Sequence, residues 1–422
     1  MSYWTDDPFL KRLIPLATAS FLKGLSSSFK SPTILFGHNL LPEGAGLQPP
    51  PLNVLAAKLT KKRAFVVTDE FAGRFAKQVV KSLTAAGVTS SIWDKALPEP
   101  PINTVKDCGA AMTDFEPDLI VAVGGGSVID TAKAAWILYE HPELEDLFNL
   151  SPFTPFTLRN KAILAVFPTT SGTGSETTGV SVITDPAAHR KVPLASPELM
   201  PDYAFLVPEF TKSMPPKLTM GTGLDALSHA WDCACLPASN EITDALALCA
   251  IEMIFKWLPR AVEDGEDMEA RLKMITAASI AGLAFGQGGI SLTHSFGHSL
   301  GGLFDIHHGL AVGVFIPYAT RYYAPVTHKY LNICKALECK GKTDEESLDN
   351  LLHKLKDFFA RLGAPWTIRD LGITKEDFQE KMEKLVQYSM DDIQTATSPR
   401  PITSAQSEKF LRYAYEGQDI DF

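Results

Sequence analysis

The chain has 422 residues, 45% apolar and 21% charged, an ordinary balance for a folded protein long enough for two or three domains. Its formal charge of −10 and pI near 5.5 argue against a nucleic-acid or anionic-membrane partner. No run approaches the roughly 18 apolar residues of a spanning helix. The early apolar stretch LIPLATASFL lacks a cationic leader, and six cysteines without a regular framework fit a reducing, cytoplasmic setting.

Residues 1–30 mix polar and apolar side chains and predict a helix leading into a strand candidate, TILFGHNLL. From about 60 to 210, short β-rich runs alternate with helical ones. AFVVTD (64–69) reads as a buried strand, then RFAKQVVKSLTAAG as an amphipathic helix stopped at Gly87, SSIWDKA as a strand and TVKDCGAAMTDF as a helix. DLIVAV (118–123) runs into Gly124-Gly125-Gly126-Ser127 and the helix VIDTAKAAWILYEH; KAILAVF (161–167) runs into PTTSGTGSE. Continuous apolar strands separated by helices predict a parallel sheet covered on both faces. Three more strand-like runs follow: VSVITD, VPLAS and YAFLV. After Pro215-Pro216 helical periodicity dominates to Phe422, including the core helix ALALCAIEMIFKWL. The expected organisation is an α/β domain over 1–213 and an all-α domain over 214–422.

Two loops suit a dinucleotide. In strand–GGGS–helix, glycines let backbone approach an anion, the helix start offers free N–H groups, and Ser127 adds a hydroxyl. The pattern is neither G-x-G-x-x-G nor a P-loop, so ATP chemistry has little support. PTTSGTGSE carries hydroxyls at Thr169, Thr170, Ser171 and Thr173 that could surround a pyrophosphate or ribose. A tight βα turn and a solvated turn are the plainer accounts of each loop alone. Together, at strand C-terminal ends of a doubly wound sheet, they share one crevice and favour a dinucleotide. Asp69 ends the first strand of this half. An acid there would bond a ribose hydroxyl and favour NAD over NADP, or it would simply cap the turn.

Asp225, His229, His294 and His308 look like one metal site. Asp225 and His229 sit one helical turn apart in GLDALSHA; His294 and His298 repeat that spacing in THSFGHSLGG, and His307-His308 follows. One carboxylate plus imidazoles suits Fe²⁺ or Zn²⁺ better than Ca²⁺ or Mg²⁺, and leaves room for a substrate at the ion. Cys233 and Cys235 lie close by in sequence, though packed helix thiols are the simpler expectation. His38 and His189 fall outside every motif and are read as structural.

The ordered set GGGSVIDTAK, PTTSGTGSE, ITD, GLDALSHA and HSFGHSLGGLFDIHHG resembles the iron-containing (group III) alcohol dehydrogenases, which include lactaldehyde reductase and butanol dehydrogenase. The resemblance spans roughly residues 30–390. It implies a dehydroquinate synthase-like fold: an N-terminal dinucleotide-binding α/β domain, a C-terminal helical domain and a metal in the cleft between them. Carried over by motif, it implies Asp225, His229, His294 and His308 as metal ligands and His298 as a histidine close to nicotinamide and substrate. It further implies Gly125, Gly126 and Ser127 at the pyrophosphate, Thr169 and Thr173 at the nicotinamide–phosphate side, Lys191 at a ribose and Phe285 lining the substrate pocket. Two segments depart from the family pattern. Pro98-Glu99-Pro100 stands where many members carry P-N-P, and Ser398-Pro399-Arg400 where many carry N-P-R. The N-terminus is also longer than usual.

The expected activity is interconversion of an alcohol with an aldehyde or ketone by hydride transfer with NAD(P)(H). Asp225 and His298 would serve the catalytic centre, Fe²⁺ or Zn²⁺ would be the ion, and a homodimer or larger assembly is expected. A glycerol dehydrogenase-like enzyme, a hydroxyacid–oxoacid transhydrogenase and a cyclising synthase related to dehydroquinate synthase share the fold. A metal-dependent hydrolase would explain the Asp/His set but leave both Gly-rich loops without a role.

Overall fold

A computed structural model describes Tyr3 and residues 29–41, 51–144, 146–150, 154–188 and 190–422. All but three residues of the helix expected over 1–30, and His189, lie outside these. The described chain divides into two compact units, Phe29–Ser213 and Met214–Phe422.

In the first unit the elements run β1 (Thr33–Phe36), α1 (Pro51–Ala56), β2 (Arg63–Thr68), α2 (Gly73–Ala85), β3 (Thr89–Trp93) and α3 (Ile102–Phe115). They continue with β4 (Leu119–Gly124), α4 (Gly126–Glu140), β5 (Ile163–Pro168), β6 (Val180–Asp185), β7 (Arg190–Ala195) and β8 (Tyr203–Leu206). Six strands form one sheet in the order β1-β8-β5-β4-β2-β3, every pair parallel. Every residue of β4 is buried, as are all but the first residues of β2 and β5, which is why these strands read as unbroken apolar runs. The chain steps outward from β2 to β3 and then returns to the other side of β2 with β4. That reversal makes the C-terminal ends of β2 and β4 the crevice of the sheet.

VSVITD and VPLAS do not join this sheet. They are β6 and β7, an antiparallel pair registered from Val180↔Ala195 to Asp185↔Arg190. Their alternating burial is that of a half-covered ribbon, unlike the continuous burial of β4.

The second unit is helical. Its helices are α5 (Pro216–Cys235), α6 (Glu241–Glu263), α7 (Met268–Gly288), α8 (Leu292–Phe304), α9 (His308–Gly313) and α10 (Ile316–Tyr323). Then come α11 (Tyr330–Ala336), α12 (Asp344–Leu362), α13 (Lys375–Glu380), α14 (Met382–Asp391) and α15 (Ser404–Glu416). Pro216 opens α5 at the position where a missing N–H costs nothing. Arg271 of α7, almost fully buried, pins that start: its guanidinium donates to Thr219 Oγ1 at 2.8 Å and Met214 O at 3.0 Å. From Thr219 to Cys235 every residue of α5 is buried. Leu224, Leu227 and Trp231 join Ile254, Phe296 and Leu300 in the core. A helix covered all round is expected to be apolar, yet α5 also buries Asp225, His229 and Asp232, and such groups need partners.

Candidate active site

Positions 225, 229 and 232 follow the i, i+4, i+7 spacing that keeps side chains on one face of α5. Three imidazoles converge on that face. His308 Nε2 lies 3.3 Å from Asp225 Oδ1, His229 Nε2 3.7 Å and His294 Nε2 3.9 Å. Donors sharing one ion at about 2.0–2.2 Å sit roughly 3–3.5 Å apart; those of Asp225, His229 and His294 all lie within 4.8 Å of one another, and His308 reaches the same carboxylate oxygen from outside that group. Asp225 Oδ1 and His294 Nε2 are buried and make no hydrogen bond. A buried carboxylate oxygen and ring nitrogen facing each other at 3.9 Å, too far apart for a hydrogen bond, have the chemistry of a cation site, and the residues fit a divalent metal.

The electrostatics agree. Burial pushes the Asp225 carboxyl up, but His229, His308 and His307 more than reverse this and hold it at about 2. Burial, with the neighbouring histidines, drives His294 well below the usual imidazole value. The cluster therefore offers an ionised carboxylate and a neutral ring, the protonation states a metal requires.

Packing explains how His308 arrives. The short α9 lies against α5 so closely that a Cβ on Gly309 would fall 1.8 Å from Gly221 O, and one on Gly313 would fall 3.0 Å from Leu224 Cβ. On its other side α9 meets α8, where a Cβ on Gly297 would lie 2.4 Å from Val312 Cγ1. Small residues at these three crossings bring the backbone after His308 down beside Asp225. Phe285 of α7 stacks on His229 with ring centroids 4.0 Å apart and planes 12° from parallel, forming one wall. His298, one turn after His294 on α8, stacks on His308 at 5.4 Å. Its Nδ1 lies 2.7 Å from Asp392 Oδ2, so Nε2 is the ring nitrogen left for other partners.

In the first unit, Gly125 caps the start of α4 in extended conformation, and a Cβ there would lie 3.4 Å from Thr170 Cγ2. A Cβ on Gly126 would meet Thr173 Cγ2 at 2.8 Å, so glycine is what allows the two loops to lie together. Thr169 N donates to Gly124 O at 3.0 Å, and Ser171 Oγ is buried without a hydrogen bond. Ser127 Oγ accepts from Glu99 N at 3.3 Å, and Lys191 Nζ pairs with Glu99 Oε1 at 2.5 Å. The Pro98-Glu99-Pro100 segment thus sits beside Ser127 and Lys191, with Glu99 at a left-handed φ of 49°. Asp69 Oδ1 accepts from Ala72 N at 2.7 Å, so this carboxylate does cap its turn, with its other oxygen left over. His38, outside the motifs, pairs at the surface with Glu209.

Residues 51–208 match the family described as iron-containing alcohol dehydrogenase, and residues 219–415 match the C-terminal part of the Fe-containing alcohol dehydrogenase family. An NADPH-dependent butanol dehydrogenase of Clostridium saccharobutylicum is 37% identical over 351 residues, covering 82% of this chain and 89% of that protein. The chain belongs to the iron-containing alcohol dehydrogenase family. Among solved structures, an alcohol dehydrogenase from Oenococcus oeni superimposes with a TM-score of 0.83 at 27% identity, covering 92% of this chain and all of that one. Sulfoacetaldehyde reductase from Bifidobacterium kashiwanohense, solved with NAD⁺, does so with a TM-score of 0.78 at 28% identity, covering 93% and 99%.

This iron-containing alcohol dehydrogenase is accordingly a metal-dependent oxidoreductase interconverting alcohols with carbonyl compounds through a nicotinamide cofactor. The hydrolase alternative falls with that assignment. Cys233 and Cys235 are packed core thiols: burial pushes Cys233 up to about 12 and Cys235 higher still. Four residues without an expected role support the two sites. Asp232 and Asp392 bond around His294 and His298. Within GGGSVIDTAK, buried Lys133 donates to the carbonyls of Ser175, Thr178 and Val180 at 2.6–2.8 Å, while Asp130 accepts from Ser175 Oγ at 2.7 Å and Val182 N at 3.0 Å. These two fasten the Ser/Thr/Gly loop to α4. The only sequence signal for Asp232 is its i+7 place after Asp225; Asp392, almost a hundred residues from His298, gives none.

Proposed function

We propose that Asp225, His229, His294 and His308 hold a divalent iron ion, with Zn²⁺ able to occupy the same donors. Gly125, Gly126, Ser127 and the Thr169–Thr173 loop would bind the pyrophosphate side of NAD(H), with Lys191 and Asp69 at a ribose. What supports this best is the convergence of three imidazoles on one buried, unbridged carboxylate oxygen. When bound, the ion supplies Lewis acidity toward the substrate oxygen and the nicotinamide carries the hydride. The chain's own residues do the rest. Asp225 leaves the ion with net positive charge, Phe285 holds His229 flat and presents an apolar wall to the substrate carbon, and the buried helix excludes water from one side. His298, about one-third exposed and anchored by Asp392, is placed to take a proton from the alcohol or return one through Nε2.

Two acids, Asp69 and Glu99, would flank the ribose, with Lys191 paired to Glu99. This charge balance favours NAD over a cofactor carrying a further phosphate, unlike the NADPH-dependent butanol dehydrogenase. Substrates would be small alcohols and aldehydes. We also propose domains at 1–213 and 214–422, a cytoplasmic location consistent with six free thiols, and assembly as a homodimer or larger through an edge such as β1, where Phe36 is exposed.

The test is anaerobic metal analysis followed by turnover of an aldehyde panel with NADH and NADPH. Wild-type enzyme should carry about one ion per chain and prefer NADH. Asp225→Ala should lose ion and turnover together. Full turnover by metal-free Asp225→Ala would sink the proposal.

A further inference from the structure

His294 can serve a cation only with a bare Nε2, and an imidazole carries its proton on either nitrogen. The surroundings of its other nitrogen decide which. Asp232, fully buried on α5, presents Oδ2 to Ser291 N at 2.7 Å and to Thr293 Oγ1 at 2.5 Å. Thr293 Oγ1 in turn lies 3.0 Å from His294 Nδ1, which is itself 3.5 Å from Asp232 Oδ2. A threonine hydroxyl has one hydrogen. Asp232 Oδ2 already accepts from Ser291 N–H, and although burial raises this carboxyl, a proton on it would have the unpartnered Oδ1 to sit on, so the hydroxyl hydrogen goes to Oδ2. Thr293 is then left accepting, and only an Nδ1–H can donate to it.

We infer that Asp232 is a positioning residue that, through Thr293, fixes the proton of His294 on Nδ1 and so keeps Nε2 open for the ion. This rests on the proposed metal site and adds a determinant of its affinity. The relay runs from α8 to α5 and back, so the helix face bearing Asp225 also sets the tautomer of a histidine it does not carry. An Asp232→Leu change would disrupt it: with the shared acceptor gone, the Thr293 hydroxyl can turn its hydrogen toward Nδ1, moving the ring proton to Nε2. Thr293→Val removes the relay while leaving Asp232 bonded to Ser291 N.

The competing role is structural, since Asp232 also holds the backbone at the start of α8. Affinity of the full-length, metal-stripped enzyme for Zn²⁺ is measured by chelator competition, with ¹⁵N spectra of histidine-labelled protein reporting the His294 tautomer. Both single variants should bind Zn²⁺ about 10–100-fold more weakly. The double variant should be no worse than the weaker single one, because both break one relay. Wild-type spectra should show a protonated Nδ1. Wild-type affinity within twofold in both variants, or an Nε2–H ring in the wild type, overturns the inference while leaving the metal site standing. A wild type that binds no Zn²⁺ overturns the metal site, and this inference with it. Should Asp232→Leu fail to fold, Thr293→Val with the ring spectrum decides alone.

Discussion

His298 and Asp392 show how much chemistry hangs on a single contact. The carboxylate does two things: Oδ2 meets His298 Nδ1 and Oδ1 accepts from Gln394 N at 2.8 Å, capping the short turn at 393–397. Asp392→Asn keeps an acceptor for the turn but removes the charge beside the imidazole. Turnover should fall by up to about 10²-fold with metal content and unfolding temperature near wild type. Unchanged turnover would assign Asp392 to capping alone. At this scale the clustering of Asp225, His229, His294 and His308 was legible, because ligand chemistry restricts residue type and helix periodicity restricts spacing. The sequence was silent on Asp392, whose partner is 94 positions away. Asp69 stayed ambiguous for a physical reason: one carboxylate can cap its own turn and still present a second oxygen to a ribose.

Among elements, α9 is tightly constrained by its neighbours. It is six residues long, too short to be stable in isolation, and it lies where His308 is needed because Gly309 rests on the carbonyl of Gly221. Gly309→Ala forces two backbones apart and should cost roughly 3 kcal/mol in stability, at the upper end for overpacking. It should also weaken metal retention, since His308 moves with the helix. Chemical denaturation and metal analysis of the same preparation check both; retention of wild-type stability would mean α9 is not held by that contact. The alternation of strands and helices before residue 213 was legible because parallel strands covered on both faces are apolar throughout. What could not be read was that VSVITD and VPLAS pair with each other, since pairing is a property of two segments and register is set by turns and neighbours. The Lys133 and Asp130 fastening was equally hidden, because a charged pair on a helix reads as surface until its surroundings are known.

For the molecule as a whole, the ion is expected to stabilise one unit selectively. The proposed donors all lie within Met214–Phe422, whereas the six-stranded sheet belongs to Phe29–Ser213. A ligand that binds only the folded state at a hundred times its dissociation constant adds about 2.7 kcal/mol. Chelation should therefore lower the calorimetric transition of the helical unit and leave that of the sheet unit in place. NAD⁺ should raise the latter in metal-free protein. A single transition moved equally by both ligands would show that the units unfold as one.

Helix α5 runs through the interior with a charged carboxylate at its middle, faced by rings that an ion would gather into one set. Without the proposed ion its binding free energy is missing, so newly made chains would spend more time partly open and within reach of quality-control proteases. Enzyme abundance should then track supply of the proposed ion after translation, with no change in transcript.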